Sequence, residues 1–374
     1  MPKPKVSARS VGAEVLRKLL ERGVDSPVLD ARLEYMNAEA IAKYVRGLVG
    51  VERVNPNMLP TQASLRWSTT DPPIVNFPKH SVDQCRRCIK RKDEGTYVAG
   101  EWCPYAIREI FLPDEGWYWV HCDEEAIEAR LCAAYSGDQA DLDAFNNGWD
   151  IHTLRACGVF GWPLPPVKTK ALHTVPECAE WRAHMGWTGD EDRRRHITKT
   201  VGYALQYGID EKAALESNEL YKMGLTQQDI LKFARSYLRS KPQMVATKRA
   251  VFNECATTGM SRTFLGHRRR LYGRVEDRMK EGWNHKIQGG NAGMMNLNVI
   301  NIARAADAAV WENHLVFQAH DGLTWAFREG VSTQNTVGMM RTYMERTWDV
   351  DGFKLRVPCQ WEVIRADGSV EHVK

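Results

Sequence analysis

The sequence lacks the features that mark membrane, secreted and repeat proteins. It contains no run of about 18 apolar residues, so no membrane-spanning helix is expected. No apolar stretch follows its basic N-terminal segment, so no secretory signal is visible and a cytoplasmic location is expected. No segment recurs at the periods of repeat architectures, which excludes a solenoid.

A strong excess of one charge is also lacking. The 374 residues carry 51 Lys and Arg against 47 Asp and Glu, a net charge of +4, which permits a nucleic-acid partner without requiring one. Hydrophobic residues make up 43% of the chain, enough for a core, and the length fits two or three domains or one large one. Nine scattered cysteines, an odd number, favour free thiols or a metal site over a disulfide framework.

The hydrophobic pattern mixes helices and strands without a regular alternation, which predicts an α+β fold. Two apolar runs, 315–319 and 323–327, flank a short polar turn and indicate a β-hairpin. The remaining predictions are helices at 11–22, about 30–48, 125–135 and, with breaks, 190–256, and strands at 117–122 and 353–364.

Two acidic residues occupy positions typical of metal-binding carboxylates. Asp123 follows the predicted strand at 117–122, and Asp321 lies at the tip of the predicted hairpin. Mg²⁺ prefers oxygen ligands and takes one or two protein carboxylates together with substrate phosphates. If the two aspartates meet in space, they could carry a two-metal phosphoryl-transfer site. A capping or turn role is the alternative for either residue at this point.

A basic and aromatic face is predicted on the helix at 193–207. Arg195, Lys199, Tyr203 and Tyr207 follow one another at four-residue steps. Because such steps rotate by only about 40° around a helix, the four side chains share one face. This face can hold a polyphosphate at one end and stack a base or sugar at the other. A solvated basic face beside packed aromatic rings is the alternative.

Seven segments, from about residue 60 to the end of the chain, resemble motifs of the family A (polymerase I-like) DNA polymerases and occur in the family's order. DEEAIEAR at 123–130 is similar to motif A (D-Y-S-Q-I-E-L-R), RRHITKTVGYALQYG at 194–208 to motif B, and AHDG at 319–322 to motif C (V-H-D-E). The other matching segments are LRWSTTDPPIVNFP at 65–78, FNNGWDIHT at 145–153, TFLGHRRRL at 263–271 and NHKIQGG at 284–290.

The resemblance implies a metal and triphosphate site. Asp123 and Asp321 would hold two Mg²⁺ ions, and the backbone carbonyl of Glu124 would complete the ligand shell. The residues that would bind the triphosphate of the incoming dNTP are Arg195, Lys199 and His152.

Further matches imply how sugar and DNA are recognised. Glu128 matches the acidic residue that blocks a ribose 2′-hydroxyl and pairs with a tyrosine, here Tyr207, which favours dNTPs over NTPs. Tyr203 occupies a Phe or Tyr position whose Tyr form is associated with tolerance of dideoxynucleotides. The residues matched to primer-template contacts are Arg66, Arg130, Lys280, Asn284, Gln288 and His320.

The implied architecture is a right hand with an antiparallel palm sheet, helical fingers and a reduced helical thumb. Its expected divisions are a partial thumb at 1–49, palm at 50–136, fingers at 137–280 and palm again at 281–374. The small thumb and the lack of room for an exonuclease domain predict low processivity without a partner and no proofreading.

The chain also departs from the family pattern. Glu124, Glu125 and Ala126 stand where motif A has Tyr, Ser and Gln, and Gly322 replaces the usual Glu of motif C. Because that Glu is less critical in the family than the aspartate before it, the resemblance implies altered metal affinity or fidelity rather than inactivity.

An insert at 79–104 contains a group of candidate zinc ligands. His80, Cys85, Cys88 and Cys103 together could form a tetrahedral site. The spacing has no second Cys-x-x-Cys pair, and a basic loop with incidental thiols near DNA is the alternative.

The hypothesis from these matches is a template-directed DNA polymerase that extends a primer 3′-hydroxyl with dNTPs and releases pyrophosphate. Expected partners are primer-template DNA, dNTPs and a processivity or replisome protein, with no membrane. By analogy with compact phage enzymes, the host cytoplasm is a further expected location. The alternatives are a specialised translesion or gap-filling polymerase and a non-catalytic, polymerase-derived nucleic-acid-binding subunit. Retention of Asp123, Asp321, Arg195 and Lys199 argues against the last.

Overall fold

The computed structural model describes residues 27–59, 62, 64–77, 107–168, 172, 175–186, 191–207, 211–216, 220 and 225–373. The chain divides into two compact units, one of residues 1–58 and 69–111 and one of residues 59–68 and 112–374. The helix predicted at 11–22 and the zinc candidates His80, Cys85, Cys88 and Cys103 lie outside the described residues.

The first unit contains helix α1 (Pro27–Arg46), which confirms the helix predicted at about 30–48. Strands β1 (Asn57–Leu59) and β2 (Ser68–Thr70) lie where the chain passes from one unit to the other. Single helical turns follow at Ile74–Asn76 and Ile107–Ile110.

Arg108 links these two turns within the first unit. It donates to the backbone carbonyls of Val75 at 3.1 Å and Phe77 at 2.7 Å. Phe77 is buried and lies against the rings of Tyr44 and Phe111, with centroids 4.9 and 6.0 Å away. A small aromatic cluster therefore joins α1 to the residues that follow the two helical turns.

The second unit mixes helices and strands, which confirms the predicted α+β class. Its first elements are β3 (Trp117–Glu124), α2 (Ile127–Ser136), α3 (Gln139–Asn146), α4 (Ile151–Phe160), α5 (Ala179–Met185) and α6 (Glu191–Tyr207). There follow α7 (Gln227–Ser240), α8 (Pro242–Thr258), β4 (Met260–Arg262), β5 (Arg268–Arg270), α9 (Val275–Asn284), a π-helical turn (His285–Gly289) and α10 (Gly290–Ala308). The last elements are β6 (Asn313–Ala319), β7 (Gly322–Arg328), α11 (Thr333–Met344), β8 (Thr347–Val350), β9 (Phe353–Arg356), β10 (Cys359–Arg365) and β11 (Val370–Val373).

Among the described residues, the largest sheet is antiparallel with strand order β11-β10-β3-β7-β6. Burial alternates along β3, since successive side chains of a strand point to opposite faces. Tyr118, Val120 and Cys122 join a buried cluster with residues of α10 and α11. Asp123 belongs to the alternate, less buried set, so it projects from the other face of the sheet.

The hairpin predicted around residue 320 is confirmed. Ala319 of β6 pairs with Gly322 of β7, which leaves His320 and Asp321 as a two-residue turn. His320 has a φ of 55°, in the left-handed region that tight hairpin turns require. The turn therefore places Asp321 at one end of the sheet.

A second cluster lies among the helices that follow β3. On α6, Ile197, Val201 and Leu205 are buried in it at four-residue steps. Because this apolar stripe faces the cluster, the side chains of Arg195 and Lys199 lie on a different face of α6. No helix in the described part of the chain is long and apolar enough to cross a membrane.

Candidate active site

Strand pairing brings the two predicted metal-binding aspartates to one end of the sheet. Asp123 in β3 lies opposite Gly322 in β7. The next residue, Glu124, donates its backbone N–H to the carbonyl oxygen of Asp321 at 2.9 Å. The side chains of Asp123 and Asp321 therefore start from neighbouring backbone positions, although nearly 200 residues of sequence separate them.

Glu124 adds a third acidic side chain to this end of the sheet. It is only 2% exposed, and neither of its carboxylate oxygens accepts a hydrogen bond from the described residues. Burial, and then the negative charges of Asp321 and Asp123, raise its pKa well above the usual range. The three carboxyl groups interact electrostatically, so a cation bound at this end would relieve their repulsion.

The donor set at this end suits Mg²⁺. Carboxylate oxygens are its preferred ligands, and it commonly takes only one or two from protein. Among the residues that the structure describes, no group of three or more His, Cys, Asp or Glu side chains is arranged to hold a metal by itself. A divalent ion held by Asp123 and Asp321 would therefore complete its shell with a backbone carbonyl, water and substrate phosphates.

Gly322 leaves little space beside Asp123. A Cβ at this position would lie 3.3 Å from Asp123 Oδ1 and 3.3 Å from His121 Cε1. His121 is fixed by a 2.9 Å hydrogen bond between its Nδ1 and Thr324 Oγ1. A larger residue at 322 would thus press against Asp123, a candidate metal ligand, or against His121.

The predicted basic and aromatic face of α6 meets helix α4. The ring of His152 in α4 lies 5.6 Å from the ring of Tyr203, and Lys199 Nζ lies 5.9 Å from the centre of the same ring. His152 is buried, and burial together with the charge of Arg155 lowers its pKa to about 3. His152 is therefore neutral at physiological pH, beside the charged Lys199.

Arg195 contacts the beginning of α4. Its Nη2 lies 2.6 Å from Asp150 Oδ2, and its Nε donates to the same oxygen at 2.8 Å. Asp150 is the residue that caps α4. The contact between α4 and α6 therefore groups four residues of the predicted triphosphate site, which are His152, Arg195, Lys199 and Tyr203.

The C-terminal end of α6 meets the predicted sugar-discriminating residue. Arg66 donates to Glu128 at 2.9 Å. Burial and the nearby Glu128 carboxylate raise the pKa of the Tyr207 hydroxyl, which is buried and makes no hydrogen bond of standard geometry with the described residues. Tyr207, Glu128 and Arg66 thus form one polar group, and the first two are the predicted pair.

The sequence patterns assigned no role to three residues that hold the end of α6, which are Gln206, Lys248 and Trp283. Gln206 Nε2 donates to the carbonyl of Glu128 at 2.8 Å, which joins α6 to α2. The carbonyl of Gln206 accepts from Trp283 Nε1 at 2.7 Å and from Lys248 Nζ at 3.1 Å. The last carbonyls of a helix lack partners within it, so these contacts fix this end of α6.

The predicted primer-template residues occupy two kinds of environment. Lys280 and His320 are exposed, and Asn284 and Gln288 are half-buried at the end of α9 and in the π-helical turn. Arg130 is buried and donates to the carbonyls of Glu125 at 2.8 Å and Arg356 at 3.2 Å. Burial lowers its pKa to about 10, so Arg130 stays charged while its donors hold local backbone.

A buried network of ion pairs, whose residues lie outside the matched motifs, joins α4 to the residues at the start of α3 and to Lys241. Lys241 Nζ is 3.0 Å from Asp138 Oδ2 and 2.5 Å from Asp141 Oδ1, and Arg155 Nη2 is 2.8 Å from Asp141 Oδ2. Asp138 also caps α3. The only local signal was an Asp three residues before another Asp at a helix start, which indicates a cap but not its distant partner.

The antiparallel sheet that carries the two aspartates and the helices packed beside it define an α+β fold, and comparison with known proteins identifies its family. The model of DNA polymerase family A matches residues 2–367, so the chain belongs to that family. It is 26% identical over 311 residues to DNA polymerase I of Lactococcus lactis, covering 79% of this chain and 30% of that protein. It is 25% identical over 374 residues to the thermostable DNA polymerase I of Thermus thermophilus, covering 96% and 38%. The chain thus spans about a third of the length of these relatives.

A solved structure shares the fold. It is the POL domain of a polymerase from M. smegmatis in complex with DNA primer-template and dNTP, with a TM-score of 0.72 and 22% sequence identity. The match covers 96% of this chain and 57% of that one. This similarity confirms the predicted right-hand polymerase fold.

Proposed function

We propose that this chain is a DNA-directed DNA polymerase that extends a primer 3′-hydroxyl with dNTPs and releases pyrophosphate. The observation that carries the proposal is the strand pairing that brings Asp123 opposite Gly322 and joins Glu124 to Asp321 at 2.9 Å. It gathers the two motif aspartates at one end of a sheet, in a chain whose family membership is established.

Asp123, Asp321 and the backbone carbonyl of Glu124 are the groups that would hold two Mg²⁺ ions. When bound, such ions lower the pKa of the attacking 3′-hydroxyl and neutralise charge on the triphosphate and leaving pyrophosphate. The chain's own contribution is to orient the two aspartates through the β3–β7 pairing, which is fixed by backbone hydrogen bonds rather than by mobile side chains.

The face of α6 would bind the triphosphate. Arg195 and Lys199 supply positive charge, and the neutral His152 can donate a hydrogen bond from a ring nitrogen. Glu128, held by Arg66, would occupy the space that a ribose 2′-hydroxyl requires. Tyr203 would lie beside the incoming sugar, where the resemblance predicts tolerance of dideoxynucleotides.

The predicted divisions and partners complete the proposal. The palm would comprise 50–136 and 281–374, the fingers 137–280 and the thumb remnant 1–49. Primer-template DNA would be contacted by Arg66, Lys280, Asn284, Gln288 and His320. A separate protein would supply processivity. The 374-residue chain would extend primers without proofreading, and release of dNMP from a mismatched single-stranded primer would contradict that part.

Primer extension tests the proposal. The wild-type chain, a primed DNA template and Mg²⁺ are incubated with either dNTPs or NTPs, beside Asp321→Asn. Asp349→Asn is the matched control, because this exposed aspartate pairs with Lys354 and Gly352 of the β8–β9 hairpin. We expect the wild type to extend the primer with dNTPs but not with NTPs. Extension should be lost in Asp321→Asn and retained in Asp349→Asn. DNA binding without any extension would instead favour the non-catalytic alternative.

A further inference from the structure

Asp150 is a buried carboxylate that joins two helices of the triphosphate site. It caps α4 by accepting the backbone N–H of Thr153 at 2.9 Å and the Thr153 hydroxyl at 2.7 Å. The same oxygen, Oδ2, accepts from Arg195 Nε at 2.8 Å and lies 2.6 Å from Arg195 Nη2. The side chain of Asp150 is 6% exposed and that of Arg195 is 19% exposed.

The contact engages one edge of the Arg195 guanidinium. Asp150 Oδ2 contacts both Nε and Nη2 of Arg195, and Thr153 Oγ1 accepts a second hydrogen bond from Nε at 3.2 Å. The third nitrogen, Nη1, donates to none of the described residues. A guanidinium is planar and presents its donors in a fixed fork, so holding one edge sets the direction of the other. The N–H groups of Arg195 that Asp150 and Thr153 do not engage are therefore oriented before a ligand binds.

The charge of Asp150 is maintained in this environment. Burial alone would raise its pKa, but the positive charge of Arg195 and the hydrogen bonds from Thr153 and Arg195 hold the pKa below the usual range. The carboxylate is thus ionised at neutral pH, and its bonds to Arg195 are charge-assisted ones. Ordering a long side chain in advance removes an entropy cost that binding would otherwise carry.

We propose that Asp150 is a positioning residue for dNTP binding. It orients Arg195 on α6 and fixes the first turn of α4, which carries His152 two residues later. One carboxylate thus sets the relative placement of two groups that bind the triphosphate. The inference rests on the proposed function and extends it to a residue that does not itself touch the substrate.

Asp150→Asn is the sharpest test, because asparagine caps a helix about as well as aspartate does but lacks the charge. Binding of a dNTP, and separately of inorganic tripolyphosphate, is measured on the full chain with a dideoxy-terminated primer-template and Mg²⁺. We expect both dissociation constants to rise by about tenfold. In steady-state extension the KM for dNTP should rise by a similar factor, with a smaller change in kcat.

Asp138→Asn is the matched control. Asp138 also caps a helix, is also buried and also pairs with a basic side chain of another helix, Lys241. Its helix carries none of the residues assigned to the triphosphate. We expect this variant to lose thermal stability while its dissociation constants and KM stay unchanged. A KM increase in both variants would show a general structural effect and overturn the proposal.

A double-mutant cycle that combines Asp150→Asn with Arg195→Ala tests whether Asp150 affects triphosphate binding through Arg195. If Asp150 works through Arg195, Asp150→Asn should add little once Arg195 is removed. Equal effects in the two backgrounds would contradict the proposal. Tighter binding in Asp150→Asn would also contradict it, since it would mean that Asp150 competes with phosphate for Arg195. Failure of the wild type to extend primers would refute the proposed function instead, while the tripolyphosphate measurement still decides the role of Asp150.

Discussion

Arg66 and Glu128 form an ion pair of 2.9 Å that joins residues 62 positions apart in the chain. Both side chains are only partly exposed, at 17% and 24%. The pair fixes Glu128 next to Tyr207, so a carboxylate stands at the end of α6 where the sugar of a bound nucleotide is expected.

Replacing Glu128 should therefore relax sugar selection. We expect Glu128→Ala to incorporate NTPs at least about tenfold more efficiently relative to dNTPs, because a blocking side chain is removed. The ratio of kcat/KM for a matched NTP and dNTP measures the effect. Glu281→Ala is the control, since Glu281 pairs with Arg269 at 2.8 Å in a similar contact. An unchanged ratio in Glu128→Ala would exclude Glu128 as the discriminating residue.

Enlarging residue 322 should disturb the metal site. A Cβ there would approach Asp123 Oδ1 and His121 Cε1 to 3.3 Å, so one of the two must move. We expect Gly322→Ala to cost on the order of 1 kcal/mol of folding stability and to raise the Mg²⁺ concentration for half-maximal activity by a few fold. Gly322→Glu should change both Mg²⁺ dependence and error rate. Unchanged Mg²⁺ dependence in both variants would show that residue 322 does not influence the site.

The buried network should make stability depend on pH. Burial would raise the pKa of Asp141, but Arg155 and Lys241 hold it below the usual range. An aspartate with a lowered folded-state pKa stabilises the fold above its unfolded pKa of about 4, and this contribution is lost as pH falls below that value. Asp141→Asn should therefore cost about 3–5 kcal/mol at pH 7, because it leaves buried cations with less compensation.

Urea unfolding at several pH values measures this difference. The free-energy gap between wild type and Asp141→Asn should be constant between pH 6 and 8 and shrink below about pH 4. A gap that grows on acidification would contradict the sign of the assigned pKa shift.

His152 should remain neutral between pH 5 and 8. Burial and the charge of Arg155 lower its pKa to about 3. Its ring carbon resonance in NMR should therefore keep a constant chemical shift between pH 5 and 8. A midpoint near 6.5 for His152 would refute this assignment.

Local patterns in the sequence predicted much of the fold. The two apolar runs around His320 and Asp321 gave the β6–β7 hairpin, because turn and strands are continuous in sequence. The four-residue spacing from Arg195 to Tyr207 gave the face of α6, because helical geometry alone sets it.

The contacts across long separations could not be predicted in this way. Nothing in the local pattern states that Asp123 faces Gly322, or that Lys241 reaches Asp138 across 103 residues. Asp150 shows the limit clearly. Its capping role can be predicted locally, because Thr153 lies three residues later at the start of a helix. Its contact with Arg195 cannot, because that contact depends on how α4 and α6 pack. Family resemblance, rather than periodicity, connected the two motif aspartates.

The most direct test of the account is single-turnover incorporation of one dNTP by wild type, Asp123→Asn and Asp321→Asn, with DNA affinity measured in parallel. The account predicts that each substitution slows incorporation by at least about a thousandfold, since each removes a charged ligand of the metal site, while primer-template binding stays within a few fold. Near-wild-type incorporation by either variant would contradict the assignment of these two aspartates as the catalytic centre.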